Sequence, residues 1–422
     1  MTLGGLLLKR LRAHAPFLIV LVVAGIMRLY LWKRTGVDLW GDMLRYNAMA
    51  WNLLQHGYLG YASGPDAFVT PLYPMFIAFL YKLSMILHGG SVTSIRMVHQ
   101  VYLAQQVLSL FMLVLIYMLG TLLRSKWVGF WAALLSVIYL PNGFIGLMLL
   151  TEALFMPLLI ATFVAFIYAQ KSQKAWAYAV SGILLGLTTL VRPTVLPLIA
   201  LFVLLDLWQR FTDSGTRTPM HGTVRAFSLK DPAFWRSNTL MIAGLVITML
   251  PWWIRNEIDF HHLILLSTES GNPLLAGADP YFQVSINQLI QASRALHESQ
   301  ETFAIHYMLQ GFAHHFWLFA GWYIFGKLPY LFWTPWVYAY IKTFVLYHRV
   351  VVIVGAIAMI ATLARPYARV ISWSALFLLG VQMVFLPITR YGYPIIVLWS
   401  VLIPVVAECM WSRLKAKRGV RL

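Results

Sequence analysis

Asp42 stands in Trp40-Gly41-Asp42, just beyond an apolar run that ends near Arg34. An acid at the edge of a bilayer can work on a polar group while a lipid tail stays in the membrane. A carboxylate there can take the proton of an incoming hydroxyl or amine. Four more residues of chemical promise lie at ends of apolar runs on the same side: Glu152, Arg192, Arg255 and Arg390. Glu152 sits in Leu150-Thr151-Glu152-Ala153-Leu154, and a carboxylate among such neighbours is costly unless it has a partner or a role. The three guanidiniums offer planar forks that match the oxygens of a phosphate.

Each of these residues also has a plain structural reading. Asp42 could cap a helix, Glu152 could sit favourably at a helix N-terminus, and Arg192 could snorkel to the interface. The functional reading rests on their shared face and on three arginines that stand against the topological trend of the chain. A divalent metal would need more oxygen ligands close to Glu152, whereas Ala153 and Leu154 follow it. Neither His261-His262 nor His314-His315 has the i, i+4 spacing that brings two ligands to one helix face. No metal ligand set is assigned and no cofactor is expected, a divalent metal being the disfavoured alternative. No Walker glycine loop and no Gly-x-Ser-x-Gly signature occur.

Apolar helices must position these groups. The 422 residues are 60% hydrophobic and 11% charged, with a mean hydropathy of +0.73. Soluble domains carry about 45–50% apolar and about 25% charged residues, and a spanning helix needs roughly 20 mostly apolar residues. The sequence therefore predicts an all-α polytopic membrane protein, one domain over 1–422. Ten spans are expected at about 16–34, 98–121, 127–143, 150–169, 175–191, 194–208, 239–254, 349–364, 370–387 and 394–411. Helices lying along the outer face are expected beside them. Residues after Asp42 read as one such helix, with Leu44, Ala48, Trp51 and Leu54 on its apolar side. Cys409 is the only cysteine, so no internal disulfide forms.

Charge signs orient the chain. The net charge of +18 lies in short segments between apolar runs: Lys9-Arg10-Leu11-Arg12, Arg124 with Lys126, Lys171 with Lys174, Arg210 through Arg236, Arg365 with Arg369, and the tail from Arg413 to Arg421. Those are cytoplasmic loops by the positive-inside rule, and they explain the basic balance without a nucleic-acid partner. The basic N-terminus followed by an apolar run reads as an uncleaved anchor. The apolar run Pro71–His88 starts at Thr70-Pro71-Leu72-Tyr73-Pro74 and contains Lys82. If it crossed, Arg124, Lys126, Lys171 and Lys174 would all lie outside, so it is expected to dip into or lie on the outer surface. Both termini are then cytoplasmic, with external loops at about 35–97 and 255–348 and a cytoplasmic loop at about 209–238.

In this order the motifs resemble the membrane glycosyltransferases of the GT-C superfamily, closest to the family 39/83-like group of protein O-mannosyltransferases and aminoarabinose transferases. The resembling stretches are Gly41-Asp42, Thr70-Pro71-Leu72-Tyr73-Pro74, Leu150-Thr151-Glu152-Ala153-Leu154-Phe155, Leu190-Val191-Arg192-Pro193, Pro251-Trp252-Trp253-Ile254-Arg255-Asn256, Leu266-Ser267-Thr268-Glu269-Ser270-Gly271-Asn272 and Thr389-Arg390-Tyr391-Gly392-Tyr393-Pro394. The resemblance implies a polyprenyl-phosphate sugar donor and a glycan, lipid or protein acceptor. It implies inverting transfer on the non-cytoplasmic face of the plasma or inner membrane. It places catalytic acids at Asp42 and Glu152, and the donor phosphate goes to Arg192, Arg255 and Arg390. Metal-dependent oligosaccharyltransferases carry an acid-x-acid pattern where this chain has Glu152-Ala153-Leu154, a departure that argues against a metal. A lipid-linked glycan transporter or a polysaccharide polymerase or ligase would share the many spans and arginines. A transporter would instead place charges near the midplane, often in repeated halves, and no halves repeat here.

Overall fold

A computed structural model describes residues 3–88, 93–216, 228, 231–269 and 271–417. Parts of the expected cytoplasmic loop and basic tail, and Ser270 of the Leu266–Asn272 stretch, lie outside the described residues. The described chain is helical, with no strand among those residues. The first half contains α1 (Leu3–Arg34), α2 (Asp42–His56), α3 (Leu72–Leu87), α4 (Ser94–Leu123), α5 (Lys126–Ile138), α6 (Pro141–Phe144), α7 (Glu152–Ser172), α8 (Ala175–Thr189) and α9 (Leu198–Thr216). The second contains α10 (Pro232–Phe260), α11 (Gly271–Ala278), α12 (Ile286–Ala295), α13 (Gln300–His314), α14 (Phe316–Gly321), α15 (Leu328–Phe332), α16 (Lys342–Thr362), α17 (Ala368–Val384) and α18 (Thr389–Lys417).

Among the described residues seven helices are long and apolar enough to cross a membrane, or eight if α5 and the segment Pro141–Leu147, bent by 72°, make one broken span. The expected ten are thus not all full-length helices. The runs at 175–191 and 370–387 fold as α8 and α17, of 15 and 17 residues. At 1.5 Å per residue these reach roughly 23 and 26 Å, less than a hydrocarbon core of about 30 Å. They are short because Arg192-Pro193 stops α8 and an extended turn at Phe385 stops α17.

The central helix is α7, apolar all round and almost wholly buried, as a helix without a polar face must be. α4 and α8 flank it, α10 packs behind α8, and α18 lies against α5, α16 and α17. Helices in lipid gain no hydrophobic drive from meeting one another, so close approach through small residues matters. Gly182 of α8 shows this: a Cβ there would stand 1.8 Å from the Met241 carbonyl oxygen on α10. Gly182→Ala is expected to cost about 1–3 kcal/mol by overpacking. Thermal unfolding in detergent measures it, with Gly380→Ala as the reference, since a Cβ at Gly380 meets nothing within 4 Å.

The surface helix after Asp42 forms as expected, but its buried side is Met43, Tyr46, Met49 and Ala50 rather than the Leu44 side. Leu44 is exposed. The chosen face fails because α2 packs on α3, where Tyr46 meets the Tyr73 ring edge-on and Asn47 accepts from the Tyr81 hydroxyl. α3 itself has 16 residues and buries Tyr73, Ile77, Ala78, Tyr81 and Ser84. The non-crossing assignment of α3 predicts that cysteines at Ser125 and Ser172, in a Cys409→Ala background, resist an impermeant thiol reagent added to intact cells. Labelling of both from outside would reverse the topology downstream of α3.

Candidate functional site

Four segments distant in sequence deliver charged side chains to one end of the bundle. Gly41 precedes α2 with φ of 55°, a left-handed conformation that glycine adopts without strain, and Asp42 is the first residue of the helix. Asp42 therefore does not cap α2. Glu152 is the first residue of α7 and is fully buried. Arg192 precedes Pro193, which excludes helical backbone there, and it is extended at φ −143° and ψ 115°. Its backbone neighbour Leu190 accepts from the Leu72 amide at 3.0 Å, which ties α3 to the same turn. Arg390 lies in the first turn of α18.

Arg390 organises the cluster. Its Nε and Nη2 donate to the two oxygens of Glu152 at 2.5 and 3.0 Å, and its Nη1 donates to Oδ2 of Asp42 at 2.8 Å. Arg192 donates through Nε to the Thr151 hydroxyl at 2.8 Å and through Nη2 to Glu152. Its guanidinium also lies over the Phe155 and Tyr391 rings. Glu152 thus has both oxygens occupied and serves as counter-ion to two arginines. Such a buried pairing offsets the desolvation of each charge only when the hydrogen bonds are complete. Two groups keep free capacity: Oδ1 of Asp42 and Nη1 of Arg192 have no hydrogen-bond partner among the described residues. The Asp42 side chain is 39% exposed, so its free oxygen can be reached.

A second ion pair borders the first. Arg45 shares the face of Asp42 one turn along α2 and meets Glu269 at 3.0 Å, with its guanidinium over the Phe68 ring at 4.4 Å. The loop bearing Glu269 is pinned at several points. Trp252, Trp253 and Asn256 donate to the carbonyls of Leu266, Leu265 and Ile264, and the Thr268 amide donates to Ala67. Burial pushes the Glu269 carboxyl above its ordinary range, opposed by Arg45 and reinforced by the charge of Asp42. One layer deeper, Tyr393 donates to Asn142 at 2.6 Å, and Arg28 of α1 donates to Ser109, which donates to the Asn142 carbonyl.

The structure therefore brings Asp42, Glu152, Arg192 and Arg390 together and keeps Arg255 apart from them. Arg255 donates to the carbonyls of Asp66 and Leu59, both at 2.9 Å, and pairs with Asp259 at 2.7 Å. It shapes the loop after α2 and shares no partner with the cluster. Glu269, Arg45, Thr151 and Tyr391 were not singled out as site residues. Thr151, Glu269 and Tyr391 lie inside the motif stretches quoted above, so position in those stretches was the available signal, and Arg45 had none. Among the described residues no three His, Cys, Asp or Glu side chains form a group suited to a metal ion. Arginines engage both oxygens of Glu152 and Oδ2 of Asp42.

No protein-family model matches the sequence, and no curated protein matches it. Solved structures match its fold. ArnT from Cupriavidus metallidurans, bound to undecaprenyl phosphate, aligns with 93% of this chain at 12% identity and a TM-score of 0.55. The apo oligosaccharyltransferase of Archaeoglobus fulgidus aligns with 96% of the chain at 14% identity and a TM-score of 0.54. The alignments cover 60% and 52% of those two chains, so this chain spans between half and three-fifths of their length. The protein shares the fold of these two structures and is an integral membrane protein. At these identities the likeness is one of architecture.

Proposed function

We propose that this chain is an inverting membrane glycosyltransferase. It moves a sugar from a polyprenyl-phosphate donor to an acceptor hydroxyl or amine on the non-cytoplasmic face. One observation carries the reading: a carboxylate with a free oxygen and a guanidinium with a free N–H stand on either side of the Arg390–Glu152 pair. That is the arrangement a displacement at a phosphate-bound anomeric carbon requires. The fold neighbour solved with undecaprenyl phosphate lends support to the same donor class.

In this reading Oδ1 of Asp42 takes the acceptor proton as the acceptor atom attacks the anomeric carbon. The glycosidic bond to phosphate breaks, and its electron pair leaves with the lipid phosphate. Arg192 and the remaining N–H groups of Arg390 stabilise that developing charge, which lowers the barrier because their dipoles are already in place. Glu152 holds both guanidiniums and does not itself move a proton. Arg255 acts at a remove by fixing the 59–66 loop. In this reading transfer needs no divalent metal: both oxygens of Glu152 and Oδ2 of Asp42 are held by arginines, and Oδ1 of Asp42 takes the proton.

The test is a panel of polyprenyl-phosphate sugars offered to the protein in lipid nanodiscs. The expected result is release of free polyprenyl phosphate from at least one donor, with inversion at the anomeric carbon and undiminished activity in EDTA. Retention of configuration would remove the single-displacement scheme. Loss of activity in EDTA, restored by added magnesium or manganese, would end the metal-free scheme. No turnover of any lipid-phosphate sugar, with intact binding and translocation of a lipid-linked glycan, would favour a transporter.

A further inference from the structure

Asp42 and Glu269 are built alike. Each is a carboxylate on the rim of the charged cluster, with one oxygen tied to an arginine and the other open. Arg390 holds Oδ2 of Asp42 at 2.8 Å, and Arg45 holds Oε1 of Glu269 at 3.0 Å. Neither Oδ1 of Asp42 nor Oε2 of Glu269 has a hydrogen-bond partner among the described residues. The two side chains are 39% and 35% exposed, so both open oxygens can be reached. Asp42 and Arg45 are three residues apart on α2, which makes them neighbours on one helix face. Glu269 therefore stands about one helical turn from the base. The mechanism uses Asp42 and leaves Glu269 without a task.

The Arg45–Glu269 pair is not needed to hold the loop. Trp252, Trp253, Asn256 and the Thr268 amide already pin the segment before Glu269, and an ion pair this exposed adds little stability. What the pinned loop does is set Glu269 against three other elements. The charges of Asp42 on α2, Arg192 after α8 and Arg390 on α18 all bear on its carboxyl. Glu269 in turn bears on Tyr391, whose ring the Arg192 guanidinium overlies at 5.8 Å. Glu269 thus flanks the interval between the base and the two arginines assigned to the phosphate. In a displacement at the anomeric carbon that interval holds the sugar ring. The acceptor enters on the Asp42 side, and the phosphate leaves on the arginine side. A sugar presents hydroxyl donors around its rim, and an ionised carboxylate is a strong acceptor for them.

We propose that Glu269 reads the transferred sugar. Its Oε2 accepts a hydrogen bond from a ring hydroxyl, while Arg45 holds the carboxylate in place through Oε1. The chain therefore takes a sugar with a free hydroxyl at the position facing Glu269 and discriminates against the analogue that lacks it. This inference rests on the transfer reaction proposed above, and it adds to that reaction the residue that decides which sugar is moved.

Binding and turnover in lipid nanodiscs test it with three kinds of ligand. They are the polyprenyl-phosphate sugar that the wild type turns over, the same donor with its ring hydroxyls removed one at a time, and the same lipid phosphate without its sugar. Glu269→Gln keeps the shape of the side chain and loses its charge. It should weaken the full donor about 10–100-fold, the range for a hydrogen bond to a charged group. Its affinity for the bare lipid phosphate should match that of the wild type, which also shows that the fold is kept. One deoxy donor should bind the wild type as weakly as the full donor binds the variant, and the same deletion should cost the variant nothing further. Equal losses for the full donor and the bare lipid phosphate would put Glu269 at the phosphate. Losses that add for every deoxy donor would mean that it reads no hydroxyl. Unchanged donor affinity with slower turnover would make it a second base, and unchanged affinity with unchanged turnover a surface ion pair only. Each of these overturns the proposal while the transfer reading stands. A wild type that binds no lipid phosphate and turns over no lipid-phosphate sugar would sink the transfer reading, and this inference with it.

Discussion

Asp42→Asn should lower turnover by about 10²–10⁴, the usual contribution of a positioned base, while donor binding stays nearly unchanged. Asparagine keeps the shape of the side chain and can still accept the hydrogen bond that Arg390 Nη1 now gives to Oδ2 at 2.8 Å. What it loses is the ability of Oδ1 to accept a proton. A base acts in the transition state and not on the bound donor, so kcat and kcat/KM fall together. The check is steady-state kinetics with an active donor, paired with a binding isotherm for that donor. Near-normal turnover would end the general-base role. An equal fall in donor affinity would move Asp42 to the binding machinery.

Arg390→Lys should lower turnover by about 10²–10³, the scale seen when one group that stabilises developing charge is lost. Lysine keeps the positive charge but has no fork. It cannot reach both oxygens of Glu152 and Oδ2 of Asp42, three contacts that the guanidinium makes at once. Removing the charge outright, in Arg390→Met, leaves the fully buried Glu152 with Arg192 alone. Breaking a buried ion pair from one side costs about 3–5 kcal/mol, and the loss will appear as a lower unfolding midpoint in detergent. The Lys variant should therefore separate catalysis from stability, and the Met variant should damage both. Donor affinity should fall in Arg390→Lys and Arg192→Lys. It should fall less in Arg255→Lys, where the guanidinium serves the 59–66 loop. Unchanged donor affinity in both Arg192→Lys and Arg390→Lys would remove the phosphate from this cluster.

The sequence alone determined that this is a helical membrane protein, and it marked the residues most costly to leave in an apolar setting. Helices were legible because their hydrogen bonds and side-chain neighbours are local, three and four residues apart. A charge beside a membrane run was legible because burying it without a partner is expensive. Glu152 came from that rule, whereas Asp42 came from its place at the bilayer edge, and Arg192, Arg255 and Arg390 from standing against the positive-inside trend. The count of spans was less legible. α8 and α17 have the composition of spans, but they are cut short by the turns at Arg192-Pro193 and Phe385. The buried face of α2 was not legible at all, since both of its sides carry apolar residues and only contact with α3 selects the Tyr46 side.

Tertiary structure alone decided which charges meet. Arg390 reaches Glu152 across 238 positions and Asp42 across 348. No local pattern encodes such partnerships, because they are set by which helix ends pack beside one another. Packing also separated two roles that look identical in sequence. Arg255 and Arg390 both border apolar runs, yet one was given the carbonyls of a neighbouring loop and Asp259 of its own helix, and the other carboxylates from two different helices. A guanidinium's function follows from the acceptors within its reach, and in this protein only the folded bundle supplies them.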